Sequence, residues 1–305
     1  MYVITGATGH TGSVIAKTLL AQGKKVRVVG RSTERLSSLV SLGAEALATD
    51  ITNKEAIARA FSGAEAAYIM IPPDLANPDY AAYQAQVTEA MASALERGAP
   101  AHVVALSSFG ADKPDKTGPI AGLHRMEERL KRISGLNALY VRAGYFMENT
   151  LPQAGIIHQM GAAAGPLNPD LKLPLIATRD IGTFAADELL RLDFRGHQTQ
   201  ELSGQRDLTM TEVTTVIGKA IGKPELQYHQ ITYDQFRGVL IQMGASQGIA
   251  DMFVEMSEAL NSGHVRALEA RSQRNTTPTS YEQFVAEEFV PAYQASSAGA
   301  TSARA

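Results

Sequence analysis

The sequence predicts an α/β fold in which helices cover both faces of a doubly wound parallel sheet, with a smaller, mainly helical C-terminal lobe. Short apolar runs alternate with segments of helical periodicity through residue 142, as in repeated strand–helix units. Glycines at positions 6, 9 and 12 follow the first apolar run directly, and the alternation loosens after residue 149. These three observations indicate the fold class.

The first unit is a strand, a glycine turn and a helix. Residues 2–4 are apolar, and residues 13–22 carry apolar side chains at helical spacing. Gly6 permits the turn, Gly9 lets backbone approach a pyrophosphate, and Gly12 lets the helix pack on the strand. The unpaired N–H groups at the helix start favour anions. An ordinary glycine-rich turn is the alternative, but the position between strand and helix favours a dinucleotide site.

The end of the second predicted strand, residues 24–29, indicates which dinucleotide is preferred. A carboxylate at this point would bind the ribose 2′-hydroxyl of NAD. Arg31 stands there instead, with Arg35 one helical turn further on. A guanidinium matches the 2′-phosphate of NADP in charge and geometry. We therefore expect NADP(H) to be preferred over NAD(H), although a solvated arginine at a strand end is the alternative.

Four further strands are predicted at residues 44–48, 65–71, 101–108 and 137–142, with long helices at 80–96 and 123–133 between them. Asp50 follows the third strand, where it would lie by the adenine or cap the helix that begins near Lys54. In such a sheet the ligand crosses the carboxyl ends of the strands. The turns after the strands are therefore the candidate site.

The remaining chain predicts the domain organisation. Residues 1–150 form a dinucleotide-binding domain, to which a helix at 177–192 and a strand at 201–203 return within segment 177–203. Residues 151–176 and 204–293 form a substrate-pocket lobe, in which the turn-rich segment 161–169 is expected to line the pocket. The small, polar residues 294–305 predict a disordered tail.

Composition excludes several function classes. The 305 residues carry a net charge of −3 and no cysteine, which excludes thiolate catalysis and disulfides and provides no basic surface for nucleic acid. No apolar run approaches the roughly 20 residues that span a bilayer. The first residues predict a strand rather than a signal peptide. A soluble, cytoplasmic protein without membrane or nucleic-acid partners is expected.

These residues together resemble the NmrA-like branch of the atypical short-chain dehydrogenases/reductases, which have a Rossmann-like sheet. The resemblance is carried by residues 6–12, 123–135, 142–149, 178–182 and 276–280, and by Arg31 and Asp50. It covers nearly the whole chain. Bacterial quinone oxidoreductases, triphenylmethane reductases and proteins that bind NADP as redox sensors are similar.

The resemblance implies a cofactor contact at each matching position. The pyrophosphate loop would comprise Gly6, Thr8, Gly9, His10, Thr11 and Gly12. The 2′-phosphate would meet Arg31, Ser32 and Arg35, and the adenine would meet Asp50 and Ile51. Ile71, Pro72 and Ser107 would approach the nicotinamide ribose. Tyr145, Phe146 and Glu148 would lie beside the nicotinamide.

The sequence departs from catalytic short-chain enzymes at one point. Those enzymes place a lysine four residues after a tyrosine, and none of the ten tyrosines here has one. The predicted helix offers His124 instead, a tentative proton donor near neutral pH, although a histidine at a helix start is more often a cap or surface residue. His124 and Glu127 have metal-like spacing, but no third ligand is evident and no metal is expected.

Two functions are compatible with these observations. The first is an NAD(P)H-dependent oxidoreductase that passes hydride to a flat quinone- or dye-like acceptor, a reaction that needs little acid catalysis. The second is a non-catalytic NADP(H)-sensing regulator that acts through a protein partner. A homodimer is also compatible with the sequence.

Overall fold

The computed structural model describes the backbone of residues 1–302 and the side chains of residues 1–296. Its first half alternates strands and helices as the sequence predicts. The strands are β1 (Tyr2–Thr5), β2 (Val26–Gly30), β3 (Glu45–Ala48), β4 (Ala66–Ile69), β5 (His102–Ser108) and β6 (Asn137–Ala143). The helices are α1 (His10–Ala21), α2 (Thr33–Val40), α3 (Lys54–Phe61), α4 (Tyr80–Leu95) and α5 (Ile120–Leu130).

The second half is more irregular. Its strands are β7 (Tyr145–Phe146), β8 (Ala163–Gly165), β9 (Leu173–Ile176), β10 (His197–Leu202), β11 (Asp207–Leu208) and β12 (Tyr228–Gln230). Its helices are α6 (Gln153–Met160), α7 (Thr178–Arg191), α8 (Met210–Ala220), α9 (Tyr233–Gln242), α10 (Gln247–Asn261), α11 (Tyr281–Phe284) and α12 (Val290–Ser302), with a 3-10 turn at Met147–Thr150 and a π-helical turn at Val285–Phe289.

The central sheet has seven parallel strands in the order β10-β6-β5-β4-β1-β2-β3. In the register of its middle, Ile4 pairs with Val28 on one side and Tyr68 on the other. The order reverses next to β1, so a crevice opens there at the carboxyl ends of the strands. The predicted Rossmann-like fold is confirmed. The strand predicted at 201–203 is longer, and as β10 it pairs with β6.

Two apolar layers form the core of the sheet. One layer joins Ile4 and Ile15 to Ile181 of α7, and the other joins Val3 to Phe61 and Met126. Helices α1 and α7 are in backbone contact, because a Cβ on Gly182 would lie 2.9 Å from the Thr11 carbonyl oxygen. The start of α1 is thereby held rigidly against the sheet.

The lobe has its own core beneath two small sheets, in the orders β11-β9-β7 and β12-β8. Tyr281, Phe284 and Phe289 pack there against Leu175 and Ile217. The predicted cap of α8 is present, since Thr209 and Glu212 form a capping box. Among residues 1–302, no helix combines the length and apolar character that crossing a bilayer requires.

The boundaries or caps of four helices differ from the predictions. Helices α1 and α5 each begin three residues before the predicted start, at His10 and Ile120. Asn53 rather than Asp50 caps α3, because its side chain accepts a hydrogen bond from the Ala56 N–H. Helix α12 carries the backbone through Ser302, so the predicted disordered tail is helical up to that residue, as a run of small residues permits. Residues 303–305 of that tail lie outside the described part.

Candidate functional site

The glycine loop between β1 and α1 is built so that only glycine fits at two positions. Gly6 has a φ of +61°, and a Cβ there would lie 2.7 Å from Met70 Sδ. A Cβ on Gly12 would lie 2.4 Å from the Gly6 carbonyl oxygen. Gly12 therefore lets α1 approach the loop backbone, as the sequence predicts. On the exposed Gly9, by contrast, a Cβ would have one close neighbour, the Gly6 carbonyl oxygen at 3.3 Å, so a small local shift would accommodate it.

The start of α1 presents exposed backbone N–H groups. Thr8, Gly9 and His10 are exposed, and the N-cap Gly9 supplies no side-chain acceptor for the first N–H groups. These groups and the positive end of the helix dipole fit a pyrophosphate. Thr11 differs from the prediction, because its hydroxyl points into the core and lies 2.9 Å from the Tyr68 hydroxyl. Only the backbone of Thr11 is available to a ligand.

Two free cations follow β2. Arg31 and Arg35 are exposed, and neither side chain forms an ion pair or hydrogen bond with another described residue. Ser32 caps α2 by accepting a hydrogen bond from the Arg35 N–H, and its O–H can still donate. Unpaired guanidinium groups at this strand end fit a 2′-phosphate.

The acidic turn after β3 is ordered by its own hydrogen bonds. Asp50 Oδ1 accepts the Thr52 N–H at 2.8 Å and the Thr52 hydroxyl at 2.7 Å. These hydrogen bonds lower the pKa of Asp50, and the nearby Arg31 lowers it further. Ile51 packs in the core, so its side chain presents little surface to an adenine.

A cavity of about 360 Å³ opens beside the loop. One wall consists of the ends of β4, β5 and β6, and the other is α10. The lining residues are Met70, Ile71, Pro73, Tyr80, Gln84, Leu106, Ser107, Ser108, Pro119, Ile120, Leu123, Gly144, Tyr145, Phe146, Asn149, Phe253, Met256, Leu260 and Val265. Four of the predicted nicotinamide-side residues, Ile71, Ser107, Tyr145 and Phe146, thus meet in one apolar cavity. Pro73 lines this cavity and Pro72 does not.

The hydroxyl groups of the cavity are weak acids. Burial raises the pKa of Tyr145 to about 12. Burial also raises the pKa of Tyr80 to about 12, with smaller contributions from Tyr83 and Asp74. Both phenols therefore stay protonated at neutral pH and release protons reluctantly. Each remains available as a hydrogen-bond donor.

Ser107 is oriented by a buried ion pair. Its hydroxyl donates to Glu127 Oε1 at 2.6 Å, and Arg142 donates to both Glu127 oxygens, at 3.0 and 2.6 Å. A carboxylate paired with an arginine can only accept hydrogen bonds, so Ser107 must be the donor. Ser107 consequently presents lone pairs, not a proton, to the cavity.

His124 does not reach the cavity. It lies on α5, where its Nδ1 donates to the Ala111 carbonyl oxygen at 2.9 Å, and it does not line the cavity wall. The histidine offered by the sequence as a proton donor is thus a link between α5 and the loop after β5. Helix α5 faces the cavity with Ile120 and Leu123 instead.

Glu148 also has a structural partner. Its Oε1 accepts the Thr178 N–H at 2.9 Å and the Thr178 hydroxyl, so it caps α7 in place of Ala177. Its Oε2 is buried and has no hydrogen-bond partner among residues 1–296. Asn149, one residue further on, lines the cavity.

Several cavity residues were missed from the sequence. Gln84 is buried and donates through Nε2 to the Pro119 carbonyl oxygen at 2.9 Å, while its Oε1 has no hydrogen-bond partner in the described part of the chain. A polar residue on the apolar face of α4 was the available signal. Phe253 and Met256 belong to an apolar stripe of α10, but periodicity alone does not show what a stripe contacts.

The predicted segment 161–169 does not line this cavity. No group of three His, Asp or Glu side chains within the described residues is placed to hold a metal ion.

Curated relatives cover most of the chain. A (4-alkanoyl-5-oxo-2,5-dihydrofuran-3-yl)methyl phosphate reductase of Streptomyces griseus is 28% identical over 263 residues, which are 86% of this chain and 88% of that protein. An NAD(P)H azoreductase of Xenophilus azovorans is 26% identical over 260 residues, with 84% and 86% covered.

Solved structures share the fold. The NADPH-dependent quinone oxidoreductase of Escherichia coli, solved with NADPH, superposes with a TM-score of 0.78 at 21% identity, over 95% of this chain and 100% of that one. The model of the NmrA-like family matches residues 2–289. This chain therefore belongs to the NmrA-like family.

Proposed function

We propose that this protein is an NAD(P)H-dependent oxidoreductase that transfers hydride to a flat quinone- or dye-like acceptor and prefers NADP(H). One observation carries the proposal: Met70 joins the glycine loop to the cavity. Its Sδ lies against the position that a Gly6 Cβ would occupy, and the same side chain lines the cavity. A dinucleotide laid over α1 would thus place its reactive end in an apolar chamber.

The cofactor is assigned to residues with free polar groups. The backbone around Gly9 and His10 would hold the pyrophosphate, and Arg31 with Arg35 would hold the 2′-phosphate. Ser107 would accept a hydrogen bond from the nicotinamide half. Thr8, Gly6 and Gly12 shape the loop. Ser32, Asp50 and Glu148 would contribute partly by ordering the backbone, each through one side-chain oxygen, and Ile51 by packing in the core.

The cavity suits an acceptor that needs little acid catalysis. A bound reduced nicotinamide supplies a hydride. The apolar walls from Leu106, Phe253 and Met256 exclude water and orient a flat ring against it. Tyr80 and Tyr145 would donate hydrogen bonds to an oxygen that gains negative charge, while their raised pKa values keep their protons in place. Quinones and dyes fit these limits, because their reduced forms gain protons from water.

The relatives support the same reaction class. The curated relatives are named as an azoreductase and as a reductase of a phosphate ester, and the E. coli protein is named as a quinone oxidoreductase. A planar, electron-poor acceptor is common to the dye and quinone cases.

A regulator that senses NADP(H) is the second candidate. The missing tyrosine–lysine pair and the absence of a histidine from the cavity wall favour it. Such a protein would bind the cofactor through the same loop but turn nothing over.

Steady-state oxidation of NADPH with a panel of quinones and azo dyes tests the proposal. We expect acceptor-dependent oxidation that disappears in a variant unable to bind the cofactor. Tight NADPH binding by calorimetry without turnover of any acceptor would contradict the enzyme and favour the sensor.

A further inference from the structure

A second cavity adjoins the first. It has a volume of about 290 Å³, and Tyr145, Leu260 and Val265 line both cavities. Val265 is buried and packs against Gly110, where a Cβ would lie 2.7 Å from Val265 Cγ2. The shared wall is thus held between the turn after β5 and the end of α10. We call the second cavity the outer chamber and the first the inner chamber.

The outer chamber differs from the inner one in its charge. Its base is apolar, with Phe109, Leu173 and Pro174, whereas its rim carries five charged residues: Lys172, Asp207, Arg266, Glu269 and Arg271. Charged residues are absent from the wall of the inner chamber. An occupant of both chambers would therefore have an apolar body and a charged end.

The rim has free cations. Arg271 is paired with Asp207 and also donates to the Gly204 carbonyl oxygen, so that pair is neutral. Lys172 and Arg266 form no ion pair or hydrogen bond with a described residue. Glu212, the carboxylate that Lys172 influences, is engaged with the backbone of Thr209 at 2.8 Å. Lys172 and Arg266 carry two positive charges and Glu269 carries one negative charge, so the rim has a net positive charge.

The segment that carries Arg266 is anchored on both sides. Val265 is held in the core beside Gly110, and Glu201 accepts the N–H groups of Leu268 and Glu269, each at 2.9 Å from Oε2. The Arg266 backbone is therefore held in place while its guanidinium remains free. A free guanidinium on an anchored backbone segment can bind a carboxylate, sulfonate or phosphate.

We infer that the outer chamber is a subsite for an anionic substituent on the acceptor, so that the preferred acceptors are flat apolar molecules bearing an acidic group. This inference rests on the proposed function, because the inner chamber must hold the ring that receives the hydride. Arg266 would be the main contact and Lys172 an electrostatic supplement.

Two probes that differ in charge and hardly in shape test the inference. Anthraquinone sulfonate and the sulfonamide of the same anthraquinone are titrated calorimetrically into the protein with NADP⁺ present, so that no turnover is needed. We expect Arg266→Glu to weaken sulfonate binding by about tenfold or more, since a charge-assisted contact is lost. Lys172→Glu is expected to weaken it less, and sulfonamide binding should change little in either variant.

Arg132→Glu is the matched control. Arg132 is exposed between α5 and the start of β6, whereas both chambers lie beyond the carboxyl ends of the strands, and its replacement changes the net charge equally. If Arg132→Glu weakens sulfonate binding as much as Arg266→Glu does, or if neither rim variant separates the two probes, the subsite is wrong.

Kinetics separate the two proposals. If the unmodified protein oxidises NADPH with neither probe nor any other acceptor, the oxidoreductase proposal fails, while the charge-selective binding can still be present. If it turns over acceptors but the kcat/KM ratio of sulfonate to sulfonamide is unchanged in Arg266→Glu, the function stands and the subsite falls.

Discussion

The Ser107 hydroxyl donates a hydrogen bond to Glu127 Oε1, and the two oxygens lie 2.6 Å apart. Arg142 neutralises the same carboxylate on its other side, and all three side chains are buried. A buried ion pair of this kind is costly to break, so the direction of the Ser107 hydrogen bond is set by the fold. Ser107 is therefore an acceptor toward the cavity and a positioning group rather than an acid.

Replacing Ser107 tests this direction. We expect Ser107→Ala to weaken NADPH binding about three- to tenfold, because one hydrogen bond contributes roughly 0.5–1.5 kcal/mol. Ser107→Thr keeps the hydroxyl and should restore most of the affinity. Calorimetry with NADPH measures both. Equal loss in the two variants would mean that the hydroxyl does not contact the cofactor.

The free guanidinium of Arg31 predicts cofactor preference. NADPH should bind more tightly than NADH, and Arg31→Asp should reduce or reverse the preference, since a hydrogen bond to a charged group contributes about 1.5–3 kcal/mol. The exposed Arg59 of α3 serves as a control for net charge, as Arg59→Asp. Equal affinities of the unmodified protein for the two cofactors would contradict the prediction.

Gly9 tests the pyrophosphate position. Gly9 is exposed, and a Cβ there would meet only the Gly6 carbonyl oxygen, at 3.3 Å, so we expect Gly9→Val to fold after a small local shift. It should lose cofactor binding, because the side chain occupies the approach of the phosphates. Gly155→Val in α6 is the control, since a Cβ at Gly155 meets nothing within 4 Å. Circular dichroism and a cofactor titration are measured for each. Retained micromolar affinity in Gly9→Val would place the pyrophosphate elsewhere.

Local patterns carried most of the fold prediction. The alternation of strands and helices, and the glycine turn between them, are determined by residues that are close in sequence. The observed sheet and the loop geometry at Gly6 and Gly12 therefore agree with the prediction. The cavity depends on long-range docking. Nothing near residue 253 or 256 in the sequence shows that α10 covers the ends of β4 and β5. The inward turn of Thr11 likewise depends on Tyr68, 57 residues away.

The position of His124 changes its predicted role. Its Nδ1 donates a hydrogen bond to the Ala111 carbonyl oxygen, and His124 does not line the cavity. We expect His124→Ala to lower the free energy of unfolding by about 1 kcal/mol, the value of one hydrogen bond, with kcat unchanged. A fall in kcat of about 10² or more with unchanged stability would restore the proton-donor role.

Glu201 predicts how stability depends on pH. It is 3% exposed and holds the segment that carries Arg266. Burial raises its pKa above the ordinary 4.5, and Glu269 adds to the rise, whereas the Leu268 and Glu269 N–H groups and the Arg142 charge oppose it. Between pH 4.5 and the raised pKa, the folded state holds a proton that the unfolded state has lost. Stability from this group therefore falls as pH rises through that window.

Glu201→Gln isolates this contribution, because the amide keeps an acceptor oxygen and does not titrate. We expect the free energy of unfolding of the unmodified protein, minus that of the variant, to fall as pH rises from 4.5 and then to level off. Glu282 should show the opposite dependence of stability on pH, because hydrogen bonds from Arg206 lower its pKa. The corresponding difference for Glu282→Gln should rise with pH below 4.5 and be flat above it. Urea unfolding across the pH range measures both, and a Glu201 difference that grows with pH would show that its hydrogen bonds and Arg142 outweigh its burial.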